Sequence, residues 1–390
     1  MVGVSTAGRP SLKLLVVLMT IATYLLTVPT PAHASVPCGT VVVADLTLTG
    51  DMVCPGTDAL ILGADGVTID LGGHQIVNTG GGVVSGVKSL GFEGVTVRNG
   101  TITDFYRNIH LEDAHSAVLE DLRMSGGGGW GVYAIDSDDL NARNVRVSDV
   151  PDAGVLVQGG DGAVLQRISA RRTGWGIFLI DSFASRVEQA DLRGNHYGVY
   201  VYLGHGNVIA NATIRGNLTA GVASEFATKT EVWRSRIDSN PIGLHFFGTS
   251  SGGRIEGNQI TRNGIGVQIG TIGWFTEYPA DGVFVIGNAV ASNAGSGIVI
   301  DQTLVTGFAH RIDGNRVFRN GHAPAGRVDS LGNALDDGIH VVAPAGAADL
   351  ADNKAIRNAD YGIYVAVAAD LGGNSGIANG NPAQCFGVVC

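Results

Sequence analysis

The sequence predicts an all-β protein: a single right-handed parallel β-helix solenoid with coils of 22–23 residues and ends tied by disulfides. Three observations predict it. A Gly-apolar-x-apolar pattern returns at an almost constant step. Glycine supplies 59 of 390 residues while charged residues make up 15%, as many tight turns between short apolar strands require. The cysteines stand near the two ends of the exported part.

Taken in chain order, the first 34 residues read as a cleaved signal peptide. Arg9 and Lys13 precede the apolar run Leu14 to Val28, and Ala32-His33-Ala34 offers a small-x-small cleavage site. The protein is therefore expected to be secreted, without a membrane span. Cys38, Cys54, Cys385 and Cys390 suit an oxidising compartment. Of the three possible connectivities, local pairing, Cys38–Cys54 and Cys385–Cys390, is the expected one. Residues 35–64 read as an N-terminal cap and 65–390 as the solenoid.

The repeat is set by a glycine column. Asn108, Gly131, Gly154, Gly176, Gly198, Gly221, Gly243 and Gly266 follow at steps of 23, 23, 22, 22, 23, 22 and 23 residues. The first and third residues after each glycine are apolar and read as inward; the second and fourth read as facing solvent. Two asparagine columns hold the same register. Asn195, Asn217, Asn240, Asn263, Asn293, Asn320 and Asn358 form one; Asn144, Asn211, Asn258, Asn288, Asn315 and Asn353 form the other. Both read as structural amide ladders.

Two steps break the period. Gly266 to Gly297 takes 31 residues and Gly297 to Gly338 takes 41, placing insertions near 271–280 and 321–337. Loops on a rigid scaffold concentrate function, so the two insertions are expected to wall a groove across the outer face of this sheet. On its floor, adjacent coils bring together Tyr200, Tyr202, Glu225, His245 and Phe247. Aromatic rings beside a carboxylate and an imidazole suit sugar stacking and proton transfer. Glu225, His245 and Asp301 are the candidate catalytic residues, Asp301 with an insertion carboxylate, Glu277, Asp336 or Asp337, as partner. Tyr200, Tyr202, Phe247, Trp274, Tyr278 and His340 are the candidate substrate-binding residues.

Cys38-Gly39 through Cys54-Pro55-Gly56 to Asp70-Leu71-Gly72-Gly73-His74 resembles the capping coil of the pectin-lyase-like right-handed β-helix superfamily. The repeats after it are similar to those of NosD-like and carbohydrate-binding members, over residues 36–390. The resemblance implies the fold strongly. It implies an extracellular carbohydrate-active protein, binding and cleaving or modifying a polysaccharide or cell-surface glycan as lyase or glycoside hydrolase. A noncatalytic glycan-binding or structural protein is the alternative, since one scaffold carries many activities. The Asp-Pro-His-Asp motif of mannuronan epimerases is absent.

No cofactor is expected. Calcium at an acidic turn is chemically allowed, but no ligand loop stands out. The outward histidines lie too many coils apart for one ion. A copper role of the NosD-like kind gains nothing from a mature chain with only Met52 and Met124. Net charge is −10 over the full sequence, and −12 once Arg9 and Lys13 leave with the signal peptide. With no basic patch in view, nucleic acid is not an expected partner. A monomer is expected.

Overall fold

The computed structural model describes Gly3 and residues 36–270, 279–302, 307–344 and 348–390. The expected signal peptide (apart from Gly3) and most of the first insertion, with Trp274, Phe275, Glu277 and Tyr278, lie outside the described residues. The body from residue 36 onward is a parallel β-solenoid, and its described residues contain no helix.

Each full coil adds one strand to each of three parallel sheets. The first sheet has fifteen strands, from Thr40–Val42 to Cys385–Phe386. It includes Trp175–Ile180, Tyr197–Tyr202, Ala220–Glu225 and Ile242–Phe247. The second and third sheets use short strands such as Arg186–Glu188 and Asp191–Arg193, separated by a two-residue corner. Where Val118–Ser125 runs unbroken, one strand serves both sheets.

Side-chain alternation explains why these segments close into a coil. Val199 and Val201 from the first sheet, Ile209 from the second and Ile214 from the third are all fully buried. Each fully buried aliphatic side chain contributes about 1.5–3 kcal/mol.

The column glycines are required by close approach, not by turn geometry. A Cβ on Gly198 would stand 2.4 Å from the Gly221 carbonyl oxygen, and one on Gly243 2.4 Å from that of Gly266. Both would also press on the asparagine ladder inside the corner, at Asn217 and Asn263.

That ladder is the sequence-read one. Asn240 Nδ2 donates to Asn263 Oδ1 at 3.0 Å, and Asn263 Nδ2 to Asn293 Oδ1 at 3.1 Å. The second column needs a correction. Its buried ladder runs Asn258, Asn288, Asn315, Asn353 and on to Asn374. Asn144 and Asn211 sit one position earlier, at φ 54°, in the left-handed corner conformation that asparagine tolerates. Both disulfides are local, Cys38–Cys54 and Cys385–Cys390, as expected.

Candidate functional site on the outer face of the first sheet

Strand register brings the expected residues together. Tyr200 pairs across Ala223 to His245, and Tyr202 across Glu225 to Phe247, on three adjacent strands. The rings form part of a longer strip. Trp175 stacks on Phe178 with centroids 4.8 Å apart, Phe178 on Tyr200 at 5.1 Å, and Tyr197 on Tyr200 at 5.0 Å. Phe226 meets Tyr202 edge-on. All of these rings are half-buried, so each keeps part of its surface open to solvent.

Trp175 and Tyr197 escape a reading confined to the second and fourth positions. They occupy the position just before the glycine, and so does Trp130, which packs against Tyr133. Aromatic residues recurring there are the signal that finds them. Arg107 lies over Tyr133, 4.5 Å from the ring centroid, and also near Tyr106 and Trp130.

The acid–base candidates are not joined to one another. Glu225 accepts a hydrogen bond from the Tyr200 hydroxyl. Burial, then this bond and the Glu225 charge, push the Tyr200 phenol far above its ordinary pKa. His245 stacks on Phe247 with centroids 4.1 Å apart, and its Nε2–H donates to the Gly270 carbonyl at 3.1 Å. Burial lowers its pKa to about 4. The ring is therefore neutral near pH 7, with Nδ1 carrying the lone pair.

Outward position does not guarantee solvent. Leu156, Ala223, Gln268 and Val299 point away from the interior, yet all are buried. The second insertion explains the last two. Instead of walling an open groove, residues 321–337 fold back over the sheet, with Leu335 packed on Ile265 and Val299. Asp301 is fully buried beneath this loop, accepting from Ser330 N at 2.9 Å and Ser330 Oγ at 2.6 Å.

His340 is also under the loop, at 1% exposure. Its Nδ1 lies 2.7 Å from Asp337 Oδ2 and its Nε2 3.0 Å from Asp329 Oδ2, while its ring stacks on Tyr364. The positions assigned to substrate contact and to acid–base pairing here thus form a buried clasp, because the loop that carries Asp329 covers them. Asp336 and Asp337 make no hydrogen bond to Asp301.

The loop does close one end of the strip. Pro241, His245, Gln268, Arg327 and Val328 line a cavity of about 540 Å³. A half-buried Arg327 guanidinium faces it from the loop side.

The absence of a basic patch, inferred from net charge, also needs correction. Arg123 and Arg146 stand exposed and in register on the third sheet, with Arg171 on the coil that follows. Net charge does not report how charges are segregated.

The family described as "Periplasmic copper-binding protein (NosD)" matches residues 56–202 and 128–280. No curated protein matches the sequence. Among solved structures, the chain is similar to the A-module of the Azotobacter vinelandii mannuronan C-5 epimerase AlgE6. That likeness has 15% identity and a TM-score of 0.58, covering 84% of this chain and 89% of that one. The A-module of AlgE4 from the same organism gives 16% identity and a TM-score of 0.55 over 71% and 88%. A point mutant of the periplasmic alginate epimerase AlgG gives 15% identity and a TM-score of 0.51 over 66% and 78%. At these identities the likeness is one of fold.

Proposed function

The chain belongs to the NosD family, and from that premise we propose that it binds a polysaccharide along the outer face of its first sheet, outside the cytoplasm. One observation carries the reading. Half-buried rings lie on four consecutive coils: Trp175, Phe178, Tyr197 and Tyr200 stack on one another, Phe226 meets Tyr202 edge-on, and the stacked His245–Phe247 pair follows beside a cavity edged by Arg327. Coils about 4.8 Å apart present the rings as a row of platforms for pyranose faces, and half-burial spares them the entropy cost of ordering on binding. The solved structures of similar fold include enzymes named as acting on mannuronan and alginate, which agrees with this reading. Two disulfides fit an oxidising compartment, and no helix of the described residues is long and apolar enough to cross a membrane.

Glu225 is the proton-transfer group on this face and Tyr200 its partner, since they share a hydrogen bond within the strip. His245, neutral and bonded to Gly270, positions the Phe247 platform.

The copper named in the family's description does not fit the described residues. Copper sites draw on imidazole and soft sulfur ligands. All four cysteines are in disulfides, and Met52 and Met124 are buried in the core. Both His340 nitrogens are taken by carboxylates. Among the described residues, the group of three or more histidine, cysteine or carboxylate side chains with ligand atoms within 4.8 Å of one another is Asp336, Asp337 and Asp360, a set of hard oxygens that includes no histidine.

The test is a panel of polyuronides and neutral glycans, measured for binding and for new reducing or unsaturated ends. Trp175→Ala and Tyr200→Ala are each expected to weaken binding about tenfold, with a thermal melt of each variant showing that the fold is intact at the assay temperature. Glu225→Gln should keep binding while lowering turnover about 100-fold or more. Failure of the whole panel to bind would overturn the proposal. Binding that ignores the aromatic substitutions would remove this face from it.

A further inference from the structure

Over the six coils from Thr101 to Arg215, the outward positions of the third sheet are charged very differently from those of the second. Two columns run along the axis. One reads Thr101, Arg123, Arg146, Ser169, Asp191 and Thr213; the other reads Thr103, Ser125, Ser148, Arg171, Arg193 and Arg215. Five arginines thus face one carboxylate on a chain whose net charge is −10. Asp191 pairs with Arg193 and, at 3.4 Å, with Arg171.

Arg123, Arg146 and Arg215 are exposed and make no ion pair among the described residues. The second sheet is the control within the same fold. There Arg98 pairs with Asp70, Arg143 with Glu120, Arg186 with Glu188 and Arg254 with Glu256.

Like charges directly opposite one another on adjacent strands are destabilising, and Arg123 faces Arg146 in register. The coil pitch of about 4.8 Å holds the two side chains close along the axis. Arg123, Arg146 and Arg171 also border a shallow cavity of about 470 Å³, with Thr101, Ser125, Ser148 and Ser169 on its walls. Planar guanidinium groups flanked by hydroxyls match carboxylate or sulfate oxygens, which arginine binds in bidentate fashion.

We infer that the third sheet's outer face, centred on Arg123, Arg146 and Arg171, binds an acidic polysaccharide lying along the solenoid axis. Charge complementarity repeated coil by coil selects an extended polyanion over a single small anion. From Thr101 to Arg215 neither column contains an aromatic residue, and single-stranded nucleic acid is held largely by stacking on such residues. The observations therefore favour the glycan. The inference uses a different face from the aromatic strip and stands independently of it.

The experiment measures retention and affinity of the full mature chain on four probes: dextran sulfate, polygalacturonate, uncharged dextran and a single-stranded DNA oligomer. The wild type should bind at least one of the two acidic glycans and not dextran, with affinity falling as salt rises. Arg123→Gln/Arg146→Gln should weaken that binding about tenfold or more and reduce the salt slope by about 2. Arg254→Gln/Glu256→Gln, which removes a satisfied pair on the second sheet, should change neither. Thermal melts of both double variants show whether the fold is intact. No acidic-glycan binding by the wild type at low ionic strength would overturn the inference, as would equal binding by the Arg123/Arg146 variant. DNA bound more tightly than either acidic glycan would replace the glycan with a nucleic acid.

Discussion

His340 is held between two carboxylates that are both buried, Asp329 at 4% and Asp337 at 2% exposure. Burial alone would drive the imidazole neutral, but its hydrogen bonds to Asp337 and Asp329 prevail and raise its pKa above the ordinary 6.5. Asp329 is engaged further by Leu331 N, Asn333 N and Asn333 Nδ2, so one side chain both shapes the loop and docks it. Removing one member of such a group leaves charges buried without compensation. His340→Ala is accordingly expected to cost about 3–5 kcal/mol, read from chemical denaturation; a loss under about 1 kcal/mol would mean the loop is held by Leu335 instead. The sign of the pH dependence follows from the raised pKa. This stabilisation is complete below 6.5 and is lost as pH rises through the folded-state value. His310 acts in the opposite sense, since burial lowers its pKa to about 4 and its contribution is lost as pH falls from 6.5 towards that value. An NMR titration in which the His340 ring is already neutral at pH 6.5 would refute the clasp as a charged one.

At the scale of the element, the buried amide ladder does what a turn residue alone cannot. Asn263 Oδ1 accepts from both Asn240 N and Asn240 Nδ2 at 3.0 Å, while its own Nδ2 reaches Ile237 O and Asn293 Oδ1. Replacing it with alanine takes partners from Asn240 N and Ile237 O on the preceding coil and from Asn293 Oδ1 on the next. Each orphaned group costs about 1–3 kcal/mol, so Asn263→Ala should lose more than about 3 kcal/mol. Asn379, which ends the ladder on Gln384, should lose less when replaced by alanine. Equal losses at the two sites in urea denaturation would contradict the cooperative ladder. The glycine column and the first asparagine column were legible in the sequence because the period forces every coil to solve the same corner, while the second mixed two adjacent corner positions at Asn144 and Asn211. The aromatic platforms were half legible, since Tyr200, Tyr202 and Phe247 share the expected columns while Trp175 and Tyr197 sit just before the glycine. The clasp was not legible. Asp329 reaches His340 through a loop belonging to no repeat, so spacing carries no information about which carboxylate it meets. That same loop turned Asp301 from an expected acid into an anchor for Ser330.

For the whole molecule, stacking makes stability nearly one-dimensional: each coil leans on its neighbours, and the terminal coils lean on only one. The two disulfides sit where this geometry is weakest. Cys38–Cys54 spans 16 residues and closes the first coil, while Cys385–Cys390 spans 5 and ties the last strand of the first sheet. Their local pairing means that neither constrains the middle of the chain, where the aromatic strip lies. A loop of the larger size stabilises by about 3 kcal/mol in the chain-entropy account, and here that effect belongs to the end coil. Cys38→Ser/Cys54→Ser should therefore fray the N-terminal coils without unfolding the centre. In hydrogen exchange, protection should fall across Thr40–Val42 and Leu60–Leu62 while Tyr197–Tyr202 and Ala220–Glu225 keep theirs. The same variant should retain the glycan binding proposed for the aromatic face at temperatures where its first coils have already opened. A single cooperative loss of protection, with binding lost in step, would show that the solenoid unfolds as one body and that its capped ends govern the site.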